Sequence, residues 1–158
     1  MRFKNFMSEG KEKGTYAGVK LSKESNKIIS EYAKGLGFPD PIAENDIHVT
    51  LLYSKKYVPN LKLRDEISEP CTASGFEVFK TFDKKECLVL KLDCPYLMER
   101  HNELMDKYDA TYDYPEYKPH ITLCYDLKGM KVPKFVPMKP LTLEKEYEED
   151  LKLEWKPK

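Results

Sequence analysis

Six residues occur twice in this chain, and they constrain its fold more than any other feature. His48-Val49-Thr50-Leu51-Leu52-Tyr53 and His120-Ile121-Thr122-Leu123-Cys124-Tyr125 both read H-[VI]-T-L-x-Y. Only three histidines and seven threonines are present, so two matched copies are not a chance expectation. The repeat also extends upstream. Val19-Lys20-Leu21-Ser22 leads into a helical spacing, a proline-containing loop and the first motif; Leu90-Lys91-Leu92-Asp93 leads into the same order and the second. His48 stands 26 residues after Ser22, and His120 stands 27 after Asp93. Two strand–helix–strand units predict an α+β domain. Its β-α-β lobes should be related by an approximate two-fold axis around a central groove. A ferredoxin-like sheet is the plainer form of the same pattern.

Local signals fill in the order. Residues 15–21 read as a strand. Ser22 offers an N-cap, and Ile28, Ile29, Tyr32, Ala33 and Leu36 follow at helical spacing before Gly35 and Gly37. A strand is expected over 46–54, then a polar stretch over 55–70 with a short helical turn. A hairpin of 73–82 with 86–92 follows. Asp93 or Cys94 caps a second helix with Pro95 in its first turn, and Leu97, His101, Leu104, Met105 and Tyr108 form its apolar stripe. Further strands are expected over 120–126 and 141–147. Residues 1–14 read as a lead segment and 15–158 as the single domain.

Alternation along a strand gives the motif its chemical meaning. His48 and Thr50 share one face; Val49, Leu51 and Tyr53 share the other. The second copy repeats this, with Tyr125 on the apolar side. If the lobes face each other, two imidazoles and two hydroxyls converge. One neutral His can then accept a proton and one protonated His can donate one, near neutral pH. The Thr hydroxyls can bind non-bridging phosphate oxygens. Which histidine is acid and which is base stays open. His101 lies on an apolar helix stripe without a partner Thr and reads as structural.

Charge and composition exclude other classes. Lys plus Arg and Asp plus Glu both total 27, which argues against a bulk binder of long nucleic acid. The zero is a composite: residues 1–34 carry eight Lys or Arg against four Glu, and the C-terminal segment is acidic. No run of 18 apolar residues indicates a membrane span. Cys71, Cys87, Cys94 and Cys124 lack C-x-x-C spacing and read as reduced thiols of a cytoplasmic protein, with no metal site. A monomer is the default.

The paired motifs resemble those of the 2H phosphoesterase superfamily, named for its two H-x-T-x motifs, over nearly the whole domain. That resemblance implies metal-independent, cofactor-free phosphodiesterase chemistry, with His48, Thr50, His120 and Thr122 as the catalytic set. Within the superfamily, size, Tyr16, the Tyr-rich lead into the second motif and the Trp-ending acidic tail are similar to the phage anti-CBASS cyclic-oligonucleotide phosphodiesterases. The implied ligand is a cyclic di- or trinucleotide messenger, cleaved at 3′–5′ bonds. An RNA-end 2′,3′-cyclic phosphodiesterase and a non-catalytic nucleotide sponge are the alternatives.

Aromatic side chains supply stacking surfaces for bases. Tyr16 begins the first strand and stands at the expected groove edge. Trp155 reads as a tail clamp or, by the resemblance, as a lid over a base. Tyr112, Tyr114 and Tyr117 are candidates for the groove mouth. The resemblance also suggests a carboxylate accepting from a base amine, with Glu149 chosen over Glu148. Lys20 and Lys118 are expected near the groove.

Overall fold

The structure, a computed structural model, describes residues 13–81, 83–112 and 116–152. In chain order, β1 (Lys13–Leu21) leads to α1 (Lys23–Gly35), a 3-10 turn (Glu44–Asp46) and β2 (Val49–Ser54). Then come β3 (Glu69–Lys80), β4 (Glu86–Asp93), α2 (Pro95–Tyr108), β5 (His120–Cys124) and β6 (Leu141–Lys152). The strands form one sheet in the order β2-β1-β6-β3-β4-β5, antiparallel throughout. That order is symmetric about its middle. Each half places the strand before a helix between the histidine strand and a third strand, which is the expected two-lobed α+β fold.

Among the described residues, the two halves of the sheet are joined as strands where Glu69, Pro70 and Cys71 of β3 pair with Leu143, Thr142 and Leu141 of β6. So narrow a seam lets the sheet bend, and the outer strands β2 and β5 return to within 8 Å of each other, Cα to Cα. Behind the sheet lies one core. It joins Ala17, Val19, Ile29, Leu51 and Leu52 of the first lobe to Leu88, Leu90, Leu97, Ile121 and Leu123 of the second. Burying each such Leu or Ile fully contributes about 1.5–3 kcal/mol to folding.

Local signals account for both helices. The Ser22 Oγ accepts the Ser25 amide at 3.1 Å, and Gly37 ends the first helix region at φ +76°. Cys94 is the N-cap of α2, without a side-chain cap bond, and Pro95 opens its first turn. Leu97, His101 and Leu104 are buried along the expected stripe.

Several expectations are corrected. Residues 55–68 contain no helical turn. They form an extended strap bound to β6: the Ile67 amide donates to the Glu144 carbonyl, and the Glu146 amide donates to the Arg64 carbonyl. The strap also joins a buried cluster in which Arg100 Nε lies 2.9 Å from Glu146 Oε2 and Tyr96 donates to the same carboxylate. β2 begins at Val49 rather than residue 46, because Glu44–Asp46 wind into the 3-10 turn. β6 runs five residues beyond the expected end at 147.

The sharpest correction concerns the motif itself. In each copy the ladder slips by one residue just after the threonine. Gly18 opposes Thr50 while Ala17 opposes Leu52; Val89 opposes Thr122 while Leu88 opposes Cys124. Leu51 and Leu123 are therefore the extra residues of two equivalent β-bulges. Leu51-Leu52 and Leu123-Cys124 are all fully buried, and Tyr53 and Tyr125 swing to the histidine face.

Both bulges lie on edge strands, and the opposite lobe supplies donors to their carbonyls. Tyr117 Oη donates to the Thr50 carbonyl at 2.7 Å, and His101 Nδ1 donates to the Leu51 carbonyl at 2.7 Å. The rings of His101 and Tyr117 stack at 4.0 Å. In the second lobe, the Ile42 amide donates to the Leu123 carbonyl at 2.9 Å. Replacing Tyr117 by Phe deletes one donor at constant shape and leaves the Thr50 carbonyl unsatisfied, at about 1–3 kcal/mol. Urea denaturation of Tyr117→Phe should show a lower midpoint with an unchanged slope; an unchanged midpoint would remove the brace from this account.

Candidate active site

The bent sheet forms an open cavity of about 1240 Å³ whose wall includes His48, Thr50 and His120. The two histidines are held in the same way. His48 Nδ1 lies 2.7 Å from the Asp46 carbonyl oxygen, and His120 Nδ1 lies 2.8 Å from the Lys118 carbonyl oxygen. A carbonyl can only accept, so Nδ1 carries the proton in both rings. Each neutral ring then has an unprotonated Nε2 for acid–base work. A carbonyl acceptor two residues upstream stands where the chain enters each strand, and the duplication copies it.

The surroundings of the rings differ. Tyr16 flanks His48 with ring centroids 6.3 Å apart; Phe79 packs edge-on to His120 at 5.0 Å. The His120 imidazole is held below its ordinary value, chiefly by burial. The positive form of His48 lowers it further, whereas the Lys118 carbonyl and Glu77 act in the opposite direction. Both rings line the same cavity.

Both threonines lie on the histidine face, with different neighbours. Thr50 Oγ1 is 3.0 Å from the Tyr16 hydroxyl. Thr122 is half-buried and set back from the cavity wall, with its hydroxyl against the Cys87 thiol, which does line the cavity. Lys20 and Lys118 also line it; Lys118 Nζ lies 3.9 Å from Glu77 Oε2. Carboxylates of Glu77, Glu116, Glu149 and Asp150 share the wall with Lys20, Lys80 and Lys118. The wall is thus of mixed charge rather than uniformly positive.

Among the expected ligand-contact residues, Tyr16 and Glu149 line the cavity and face each other in the β1–β6 register. Glu148 opposes Ala17 instead and is not on the wall. Tyr112 lines the cavity, but Tyr117 does not: it is buried as the brace described above. Trp155 and Tyr114 lie outside the described residues. His101 is buried and structural, as its apolar setting suggested. Among the described residues no group of three or more His, Cys, Asp or Glu could hold a metal ion, and no helix is long and apolar enough to cross a membrane.

The sequence reading missed Tyr53, Tyr125, Tyr147 and Phe79 on the wall. For the first two a signal was present. Each motif carries two consecutive apolar residues before its tyrosine, which breaks strict alternation and marks a bulge.

Two antiparallel three-stranded lobes, each presenting one H-x-T histidine to a shared groove, define a 2H phosphoesterase-like fold. The fold agrees with solved structures of that kind. Escherichia coli LigT in apo form is similar with a TM-score of 0.58 at 17% identity, over 89% of this chain and 87% of that one. A structure described as a phosphoesterase is similar with a TM-score of 0.57 at 13% identity, over 90% and 96%. LigT complexed with 3′-AMP is similar at 0.52 and 16% identity, over 92% and 96%.

Sequence comparison is more specific. Residues 13–158 match the family model described as anti-CBASS protein Acb1. Proteins of that name are similar in Vibrio phage KVP40, 37% identical over 90% of each chain, and in Acinetobacter phage Ac42, 36% identical over 92% of this chain and 96% of that one. The relative in Enterobacteria phage T4 is 35% identical over 98% of this chain and 96% of its own. The chain belongs to the Acb1 family of anti-CBASS proteins.

The electrostatic coupling of the two rings is directly measurable. An NMR titration should place the His120 midpoint below the ordinary imidazole value of about 6.5. His48→Ala should move that midpoint upward, because it removes a neighbouring positive charge. A midpoint unmoved by His48→Ala would mean that the rings do not share one site.

Proposed function

We propose that this protein is a phosphodiesterase that opens cyclic di- or trinucleotide messengers at a 3′–5′ linkage, acting in a bacterial host's cytoplasm to blunt CBASS signalling. The observation that carries the reading is the matched pair of histidines, tethered alike through Nδ1 on one cavity wall. Their Nε2 atoms can take and give a proton across one phosphate. Membership of the Acb1 family supports the anti-CBASS role, and the 3′-AMP complex of a protein of this fold is consistent with a nucleotide in the groove.

In the proposed reaction a ribose 2′-oxygen attacks the adjacent phosphorus and yields its proton to one Nε2. The P–O5′ bond breaks, and the leaving oxygen takes a proton from the other histidine. The product is a linear nucleotide with a 2′,3′-cyclic phosphate, open to attack by water. Thr50 and Thr122 donate to non-bridging oxygens as negative charge builds. Burial favours neutral His120 and suits it to the base role; His48 then serves as acid. Neither step draws on a cofactor. Tyr16, Glu149 and Trp155 are the proposed base contacts.

Tyr125, 50% exposed on the cavity wall, adds a stacking face. Base–aromatic stacking of about 1–3 kcal/mol makes Tyr125→Ala raise KM by roughly 5–150-fold with kcat little changed. A KM equal to wild type would remove Tyr125 from the ligand contacts.

The test is a panel of cyclic dinucleotides, cyclic trinucleotides and linear RNA with 2′,3′-cyclic ends, incubated with excess chelator and resolved by chromatography. Linear products from the cyclic compounds are expected. His48→Ala and His120→Ala should each lower the rate by about 10²–10⁴-fold. Turnover of the RNA ends alone would transfer the protein to the RNA-processing reading. Tight binding of an unchanged cyclic nucleotide would make it a sponge. The rate of wild type should also fall as pH drops below the His120 midpoint, because protonation removes the base.

A further inference from the structure

Two of the four free cysteines stand opposite each other in the second lobe, away from the groove wall. The β3–β4 ladder pairs Ala73 with Leu92 and Thr72 with Asp93, so the next antiparallel position sets Cys71 against Cys94. Burial alternates in step along both segments. Cys71 and Ala73 are buried with Thr72 exposed between them; Leu92 and Cys94 are buried with Asp93 exposed between them. Both thiols therefore project from the same, core-facing side of the sheet. Cys94 keeps an extended backbone, at φ −149° and ψ 95°, before α2 begins. Its Sγ lies 3.5 Å from the Pro70 carbonyl oxygen, on the peptide that joins Pro70 to Cys71. Directly opposed residues of an antiparallel pair have Cα atoms about 4.5–5.5 Å apart, within the span of roughly 4.4–6.8 Å that a disulfide bridges.

The other two cysteines have no such relation. Cys87 lines the groove, whereas Cys124 is buried behind the sheet, its thiol donating to the Pro39 carbonyl at 2.9 Å. The opposed pair is also chemically uneven. Cys94 is the N-cap of α2, a position that favours a thiolate. The neighbouring Cys71 thiol holds that of Cys94 down, to about 7, against the opposing effect of burial. Cys71 is shifted upward and keeps its proton. Near neutral pH the pair thus holds a nucleophilic sulfur beside a protonated one.

We propose that Cys71 and Cys94 are a peroxide-sensitive dithiol that closes to a disulfide, fastening the start of α2 to the strand that carries the seam. In the first step the Cys94 sulfur attacks one oxygen of hydrogen peroxide. The O–O bond breaks, Cys94 becomes a sulfenic acid and one water leaves. In the second step the Cys71 sulfur attacks the Cys94 sulfur. The S–S bond forms, the S–O bond breaks, and the departing hydroxyl leaves with the Cys71 proton as a second water. The two thiols lose two electrons and peroxide gains them. Cys71 and Cys94 are 1% and 2% exposed, which admits a small oxidant and excludes a bulky thiol partner, so the product is the internal bond. Cys71 also pairs with Leu141 of β6, so the bond would sit where the seam meets the second lobe. Neither residue lines the groove, and the inference does not depend on the proposed reaction.

The test treats the folded, reduced protein with hydrogen peroxide, blocks remaining thiols in denaturant and reads the product by intact mass and peptide mapping. The wild type should lose about 2 Da, with Cys71 and Cys94 joined in one linked peptide pair. The bond would close a loop of 24 residues, ends included. The thermal midpoint should therefore rise by about 3–10 °C and return on reduction with dithiothreitol. Cys71→Ser should show neither change and should instead leave a sulfenic acid at Cys94 that dimedone captures. Cys94→Ser should give neither the bond nor the adduct. A wild type that forms no internal bond, or one that maps to Cys87 or Cys124, would overturn the proposal. So would a 2 Da loss that persists in Cys71→Ser. The peptide map of the wild type decides the matter even if a serine variant folds poorly.

Discussion

The structure depends on hydrogen bonds that cross between the lobes at the two motif strands. The Thr50 and Leu51 carbonyls at the first bulge are bound by side chains of the other lobe, Tyr117 and His101. The bulge at Leu123 is bound in return by the Ile42 amide from the first lobe. An unsatisfied buried carbonyl costs about 1–3 kcal/mol, so the bulges form stably only when the lobes are docked. Folding of each motif is thereby coupled to the arrangement that brings the two motifs together. The central seam of three residue pairs is too narrow to impose that arrangement alone.

Function follows from the same device. A regular strand would put the motif tyrosines into the core; the bulge puts Tyr53 and Tyr125 on the groove wall while retaining two consecutive buried residues behind them. Upstream of each bulge, the entry turn presents a carbonyl that fixes the histidine tautomer. The duplication therefore copies chemistry as well as shape. It does not copy everything. Tyr16 holds the Thr50 hydroxyl, whereas the Cys87 thiol meets that of Thr122; His120 packs against Phe79, whereas His48 meets Tyr16. These differences give the two histidines unlike surroundings in otherwise duplicated strands.

Much of this was legible in the sequence because the duplicated motif carries both period and chemistry. The two lobes, the helices and the polar face of His48, Thr50, His120 and Thr122 follow from alternation and capping. The bulge was not read, although Leu51-Leu52 and Leu123-Cys124 mark it, because one extra residue reverses every later side chain. The pairing of β1 with β6 was also out of reach. It joins chain ends separated by the whole second lobe, and no local pattern encodes such a partner. For the same reason Tyr147, which lies across Gly18, and Tyr117, which reads as an ordinary loop tyrosine, acquire their roles only in three dimensions. Glu149, preferred to Glu148 on the resemblance, is placed opposite Tyr16 by a register that no local pattern encodes.

The central claim is that both lobes act on one phosphate. The most direct measurement is a crystal structure with a cyclic dinucleotide whose ribose 2′-hydroxyls are replaced by fluorine, so that no nucleophile is present. The account predicts one phosphate between the Nε2 atoms of His48 and His120, with the Thr50 hydroxyl on a non-bridging oxygen. Separate phosphates on the two histidines, or a nucleotide bound outside the groove, would contradict it.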